Sequence, residues 1–164
     1  MTEQSTAGSA GTLPAGQAKT LAAQNLANRV VRGVLRTPLL SRAAGSRLVT
    51  LYVTGRKSGR RYTVPVAYTR HDGDLMIGTP FGWGRNLRTG EPLTIRLKGR
   101  LRQADVQVFT TEADVTRLYA IMTTENRTFA KFNKISFDAA GRPDPGDLHR
   151  AWADGARVFL LTPR

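Results

Sequence analysis

The stretch Leu48-Val49-Thr50-Leu51-Tyr52-Val53-Thr54-Gly55-Arg56-Lys57-Ser58-Gly59-Arg60-Arg61-Tyr62-Thr63-Val64-Pro65-Val66 decides the fold. Two β-branched, apolar runs flank a segment bounded by two glycines. That pattern reads as strand, turn, strand. The turn region carries Arg56, Lys57, Arg60 and Arg61 together with Ser58. Four cations, a hydroxyl and free backbone N–H groups in so short a space suit phosphate or carboxylate oxygens. The expected ligand is anionic.

Further strands are expected on both sides of this hairpin's end. Tyr62–Thr69 is followed by the turn signal His71-Asp72-Gly73-Asp74, then a strand over Leu75–Thr79. Leu93–Leu97 and Leu101–Val108 read as a second hairpin through Lys98-Gly99-Arg100. Helical signals come late. Thr111-Glu112-Ala113-Asp114 resembles a capping box that opens a helix to about Thr123. Asn126–Lys134 and Asp147–Ala153 read as shorter helices, Arg85–Thr89 as one helical turn, and Ala156–Thr162 as a closing strand. Strands first and helices late differ from a regular βαβ alternation. They predict a mainly β or α+β chain, an antiparallel sheet or small barrel with appended helices.

The 164 residues fit one domain with a buried core. The chain divides into a Ser-, Thr-, Ala- and Gly-rich lead-in over residues 1–16, expected to be disordered, a basic amphipathic helix and linker over 17–46, and the strand-rich domain over 47–164. In the helix, Leu21, Leu26, Val30 and Val34 form an apolar stripe beside Lys19, Arg29, Arg32 and Arg36. The favoured reading is that it packs on the domain; the alternative is that it lies on an anionic membrane surface or reaches a partner. The formal net charge is +13, and from Met1 to His71 Glu3 is the one acid. So basic a half attracts phosphates of any origin. The chain holds no cysteine, and its two histidines, His71 and His149, fit no metal-ligand spacing, so no metal site is expected. No apolar run reaches the ~20 residues of a membrane span. The expected location is the cytoplasm, with peripheral contact at the inner membrane surface as the alternative.

Two more constellations stand out. Gly82-Trp83-Gly84-Arg85-Asn86-Leu87 places glycines beside a tryptophan, which lets a flat ligand approach backbone; Trp83 as a core aromatic and Asn86 as a cap is the plainer reading. Ile95 to Arg102 alternates cations with apolar residues, as a solvated strand face does. No acid–base pair or triad emerges, so an enzyme of this sequence would take its reactive atom from a cofactor.

Together these residues resemble the deazaflavin-dependent nitroreductase family, which uses coenzyme F420. The likeness lies in Thr54-Gly55-Arg56-Lys57-Ser58-Gly59 with Pro65, in Trp83-x-x-Asn86-Leu87 followed by Pro92, and in the ending Leu160-Leu161-Thr162-Pro163-Arg164. It implies a split β-barrel and a hydride transfer from reduced coenzyme F420 to a quinone, enone or nitro compound. By resemblance, Arg56, Lys57, Ser58 and Gly59 hold the phosphate and acidic tail, with Arg61 and Thr63 beside them. Pro65, Val66 and Thr79 border the deazaflavin ring, with Trp83, Asn86 and Leu87 nearby. Phe129 and Phe132 wall the substrate pocket, and Tyr62 is the candidate proton donor. The family often carries Pro-Arg where this chain has Arg61-Tyr62. The resemblance also fits a homodimer. A second reading keeps the barrel but binds FMN, haem or a fatty acid without hydride transfer. A nucleic-acid module ranks third, because the cations cluster at a turn and no recognition helix carries them.

Overall fold

The computed structural model describes residues 47–164; the lead-in and the amphipathic helix expected over 1–46 lie outside the described residues. Seven strands form one antiparallel sheet: β1 (Leu48–Thr54), β2 (Arg61–Ala67), β3 (Thr69–His71), β4 (Asp74–Thr79), β5 (Leu93–Leu97), β6 (Arg100–Phe109) and β7 (Arg157–Pro163). A short 3-10 helix, Gly82–Asn86, follows β4. Three α-helices lie between β6 and β7: α1 (Glu112–Glu125), α2 (Arg127–Phe132) and α3 (Pro145–Ala153). The expected antiparallel, mainly β architecture with late helices is what the described chain adopts.

The strand order is β2-β1-β5-β6-β7-β4-β3. β2 and β3 are therefore the two edges of the sheet, yet Tyr68 alone separates them in sequence. Two Cα steps of 3.8 Å leave the edges no room to stay apart. The sheet must curl until they meet. One segment, Arg61–His71, does this by changing partner. Its first part pairs with β1, from Thr54↔Arg61 to Leu48↔Ala67. Its last part pairs with β4, from Thr69↔Met76 to His71↔Asp74. Tyr68 sits buried at the switch, and its N–H donates to the Arg47 carbonyl at 3.0 Å. The sequence predicted one strand here, and the break at Tyr68 divides it.

Burial follows the side-chain pattern strand by strand. β1 and β5 alternate, and Val49, Leu51, Val53, Ile95 and Leu97 point into the barrel core. β4 and β7 read as near-continuous apolar runs because both their faces are covered. Leu75, Ile77, Phe159 and Leu161 join the barrel core, whereas Met76 and Val158 face a second core made with Val115, Leu118, Tyr119, Met122 and Leu148. The helices thus cover one side of the barrel. Each fully buried Leu, Ile or Phe stabilises the fold by roughly 1.5–3 kcal/mol.

The helix starts are chemically specified. The Thr111 hydroxyl accepts from the Asp114 N–H at 3.3 Å and opens α1 as the sequence indicates. Asn126 Oδ1 accepts from the N–H groups of Thr128 and Phe129, both at 3.1 Å, and opens α2. α3 begins at Pro145, two residues ahead of expectation, capped by Asp144. Proline reads as loop in a sequence but is well suited to the first helical turn. The helical turn expected over Arg85–Thr89 lies earlier, at Gly82–Asn86.

Asp147 fastens α3 to the chain before it. It accepts from the Ser136 hydroxyl at 2.6 Å and the Ser136 N–H at 2.8 Å, and pairs with Arg150 at 2.5 Å. The Ser136 hydroxyl first, then its N–H and Arg150, hold the carboxyl at about 2, below its ordinary 3.8. A depressed folded-state pKa adds stability that is present above the unfolded value and is lost as pH falls through the folded one. Replacing Asp147 by Asn should therefore lower the melting temperature at pH 5. The gap to the wild type should close between pH 3.8 and about 2, as followed by circular dichroism.

Candidate active site

Among the described residues β4 pairs with β3 from Asp74 to Met76, and from Ile77 to Thr79 it pairs on one side alone, with β7. Among the described residues β2 likewise pairs only with β1. Two unpaired edges therefore run away from the Tyr68 corner, and the barrel is split along them. Pro65 suits such an edge, since it has no N–H to offer a further strand. The segments that extend these two edges carry both sequence constellations. The glycine turn joins β1 to β2, and the 3-10 helix follows β4.

Asn86 ties the two together. Its Oδ1 accepts from the Arg56 N–H at 3.1 Å, and its Nδ2 donates to the Trp83 carbonyl at 3.0 Å. One side chain thus pins the turn to the 3-10 helix across thirty residues of sequence. The helix is held from below as well. Trp83 packs on Phe159 with ring centroids 5.8 Å apart. Gly84 lets the backbone sit on that ring, because a Cβ there would lie 2.7 Å from Phe159 Cζ. The Thr79 hydroxyl accepts from the Phe81 N–H at 3.1 Å.

The turn is closed by its own backbone. The Gly55 N–H donates to the Arg60 carbonyl at 2.7 Å, and the Gly59 N–H to the Gly55 carbonyl at 2.8 Å. Gly59 takes φ +64°, a left-handed conformation that favours glycine. These bonds leave the N–H groups of Lys57 and Ser58 without an acceptor among the described residues. The side chains of Arg56, Lys57, Ser58, Arg60 and Arg61 are exposed. No carboxylate among the described residues pairs with Lys57, Arg60 or Arg61. Donors and cations without a partner are what an anion cradle requires.

The other expected site residues fall into three groups. Arg61, Thr63 and Pro65 share one face of β2, and Tyr62 and Val66 share the other with Val64, against the barrel core. Thr79 and Leu87 are buried, and Trp83 and Asn86 are half-buried. Phe129 and Phe132 diverge. Phe129 lies edge-on to Tyr119 at 5.1 Å, within the helix-side core. Phe132 is 55% exposed and stands edge-on to Phe81 at 6.5 Å. The sequence offered no signal for Phe81, which lies in an irregular stretch beside a more conspicuous tryptophan. The Tyr119 hydroxyl is buried without a hydrogen-bond partner among the described residues, and burial pushes its pKa well up.

The described residues thus set a donor-rich, cationic turn at the open end of a split antiparallel sheet. A family model described as F420H(2)-dependent quinone reductase matches residues 29–136, well over half of the chain, and the chain belongs to that family. It is a deazaflavin-dependent oxidoreductase, with coenzyme F420 as its cofactor and hydride transfer to an electron-poor acceptor as its reaction. No curated protein matches the chain. Among solved structures it is similar to an F420-H2 dependent reductase, at 13% identity and a TM-score of 0.44, over 70% of this chain and 93% of that one. It is also similar to a domain-swapped dimer, at 13% identity and a TM-score of 0.45, over 87% and 98% of the two chains. A conserved hypothetical protein from Mycobacterium tuberculosis matches at 13% identity and 0.45, over 77% and 78%. Likenesses this distant lend no weight to the role of any residue.

Replacing Asn86 by Ala removes both bonds of the bridge. Net hydrogen-bond contributions of roughly 0.5–1.5 kcal/mol each predict a loss of about 1–3 kcal/mol. Equilibrium urea unfolding measures it, and an unchanged midpoint would show that the bridge holds nothing.

Proposed function

We propose that the protein reduces a quinone, and that the turn from Gly55 to Arg60 holds the coenzyme's phosphate and acidic tail. The observation that carries this reading is the pair of unpartnered N–H groups, on Lys57 and Ser58, set among exposed cations. Such contacts are charge-assisted and stronger than neutral ones. Arg56, Lys57, Ser58 and Gly59 form the cradle in this reading, with Arg61 and Thr63 along the adjoining edge of β2. Pro65, Val66 and Thr79 border the slot into which the flat ring would pass. The bound coenzyme supplies the hydride.

The chain's own residues then have separable tasks. The cradle fixes the anionic end. Trp83 and Leu87, packed on the barrel core, set the floor under the 3-10 helix. Asn86 orients the turn against that helix. Phe132, with Phe81 at its edge, offers an exposed aromatic wall to a planar acceptor, while Phe129 backs it from the helix-side core.

Lys57→Ala should weaken binding of the oxidised coenzyme about tenfold or more, read by fluorescence quenching, because a charge-assisted contact is worth roughly 1.5–3 kcal/mol. The wild-type affinity should also fall as salt rises. Affinity that ignores both the substitution and salt would remove the cradle from the coenzyme site.

The basic segment Gln17–Arg36 also suits an anionic bilayer, from which a lipophilic quinone could be drawn. Among the described residues no helix is long and apolar enough to cross a membrane. Co-sedimentation with phosphatidylglycerol vesicles tests the surface contact. The full chain should pellet and residues 47–164 should stay in solution; equal partition would exclude the segment. Self-association through the face of β2, β1, β5 and β6 that no helix covers among the described residues, where Leu48 and Leu101 are exposed, is the corresponding reading for a homodimer.

A further inference from the structure

We infer that the Tyr62 hydroxyl is a ligand for the anionic part of the coenzyme, paired with Ser58, and is not the proton donor to the acceptor. This rests on the reading that the glycine turn holds that anion. The Tyr62 ring runs directly beneath the turn. A Cβ placed on Gly55 would lie 2.8 Å from Tyr62 Cε2, 2.8 Å from Ser58 Oγ and 3.4 Å from Tyr62 Oη. Gly55 is therefore what allows tyrosine and serine to converge there. The two hydroxyl oxygens stand 3.4 Å apart, and Ser58 Oγ accepts from the Arg60 N–H at 3.3 Å.

Two hydroxyls carry two protons, and their mutual contact can use only one of them. At 3.4 Å that contact is long for an O–H···O bond, so an anionic oxygen would compete for it readily. The hydroxyls stand at the same turn whose Lys57 and Ser58 N–H groups have no acceptor among the described residues. All four donors belong to one turn and its first following strand.

Strand alternation excludes the nearest cation from the same position. Tyr62 lies opposite Val53 and shares its inward face, whereas Arg61 lies opposite Thr54 and points to the other side. β2 thus delivers a neutral hydroxyl, and no cation, to this side of the turn. The aromatic groups assigned to the acceptor stand elsewhere. Phe81, in the loop after β4, meets Phe132 of α2, and Phe129 packs with the helix-side core. A hydroxyl committed to the anion end is badly placed to protonate an acceptor held there.

Tyr62→Phe tests this in the full-length protein. Phenylalanine keeps the ring that packs under Gly55, so the thermal melt should be unchanged. Fluorescence titration with the oxidised coenzyme should show affinity about tenfold lower, as for a hydrogen bond to a charged group. That fold-loss should be the same at low and high salt, because a neutral hydroxyl is lost. With a water-soluble quinone and saturating coenzyme, the pH profile of kcat should keep its wild-type shape, because the proton does not come from Tyr62. Ser58→Ala should weaken binding in the same direction, and the double variant should lose less than the product of the two single losses, since the hydroxyls share one ligand. Unchanged affinity overturns the inference; if kcat then falls about tenfold and its pH profile flattens, Tyr62 returns to proton transfer. Should the wild type bind the coenzyme while Lys57→Ala binds equally well, the cradle reading itself fails, and this inference with it. Weakening by Lys57→Ala but not by Tyr62→Phe removes this inference alone.

Discussion

Everything in the described domain depends on one segment serving two partners. Arg61–His71 closes the sheet by pairing first with β1 and then with β4, and the change occurs at Tyr68. A strand cannot pair fully with both neighbours when it is this short. Pairing with β1 along seven residues leaves three for β4. The barrel is therefore sealed at the Tyr68 corner and open above it. The slot follows from the arithmetic of strand length, and no residue need be assigned the task of opening it.

An open slot between unpaired edges would be a weak place in a sheet, because free edges invite foreign strands. Here the edges are managed. Pro65 removes one donor from β2, and the 3-10 helix caps the end of β4. Asn86 then carries the connection that a ladder bond would otherwise make. The helices support the opposite side, where Met76 and Val158 face them. The one-sided helical cover is consistent with which strands read as alternating and which as continuous.

This explains why the fold was largely legible and the site only partly so. Alternation in β1 and β5, the capping residues Thr111 and Asn126, and the Asp72-Gly73 turn are local signals, and each marks what the chain does. The break at Tyr68 is not local. Nothing between Tyr62 and Thr69 distinguishes one strand from two, because the change of partner is set by β1 and β4. The cluster of donors and cations in the glycine turn was visible because its residues are consecutive. The Asn86 bridge was not, because it joins positions thirty residues apart. Phe129 and Phe132 looked equivalent at helical spacing. They differ because Tyr119 covers one and leaves the other to Phe81.

The turn itself balances repulsion against a fixed backbone. Arg56, Lys57, Arg60 and Arg61 repel one another, and the last three have no carboxylate partner among the described residues. Exposure to solvent keeps that repulsion modest, since charges about 4 Å apart interact by about 1 kcal/mol in water. Two backbone bonds within the turn and one from Asn86 hold the shape against it. An anion entering the cradle would turn that net repulsion into attraction while the backbone stayed in place. Binding would then cost little rearrangement, which is the condition for fixed donors to act at full strength. The same fixed backbone limits where a ring attached to that anion can lie. The turn and the 3-10 helix are joined through Asn86, so in the proposed reading a grip on one end of the coenzyme would also set the position of the other.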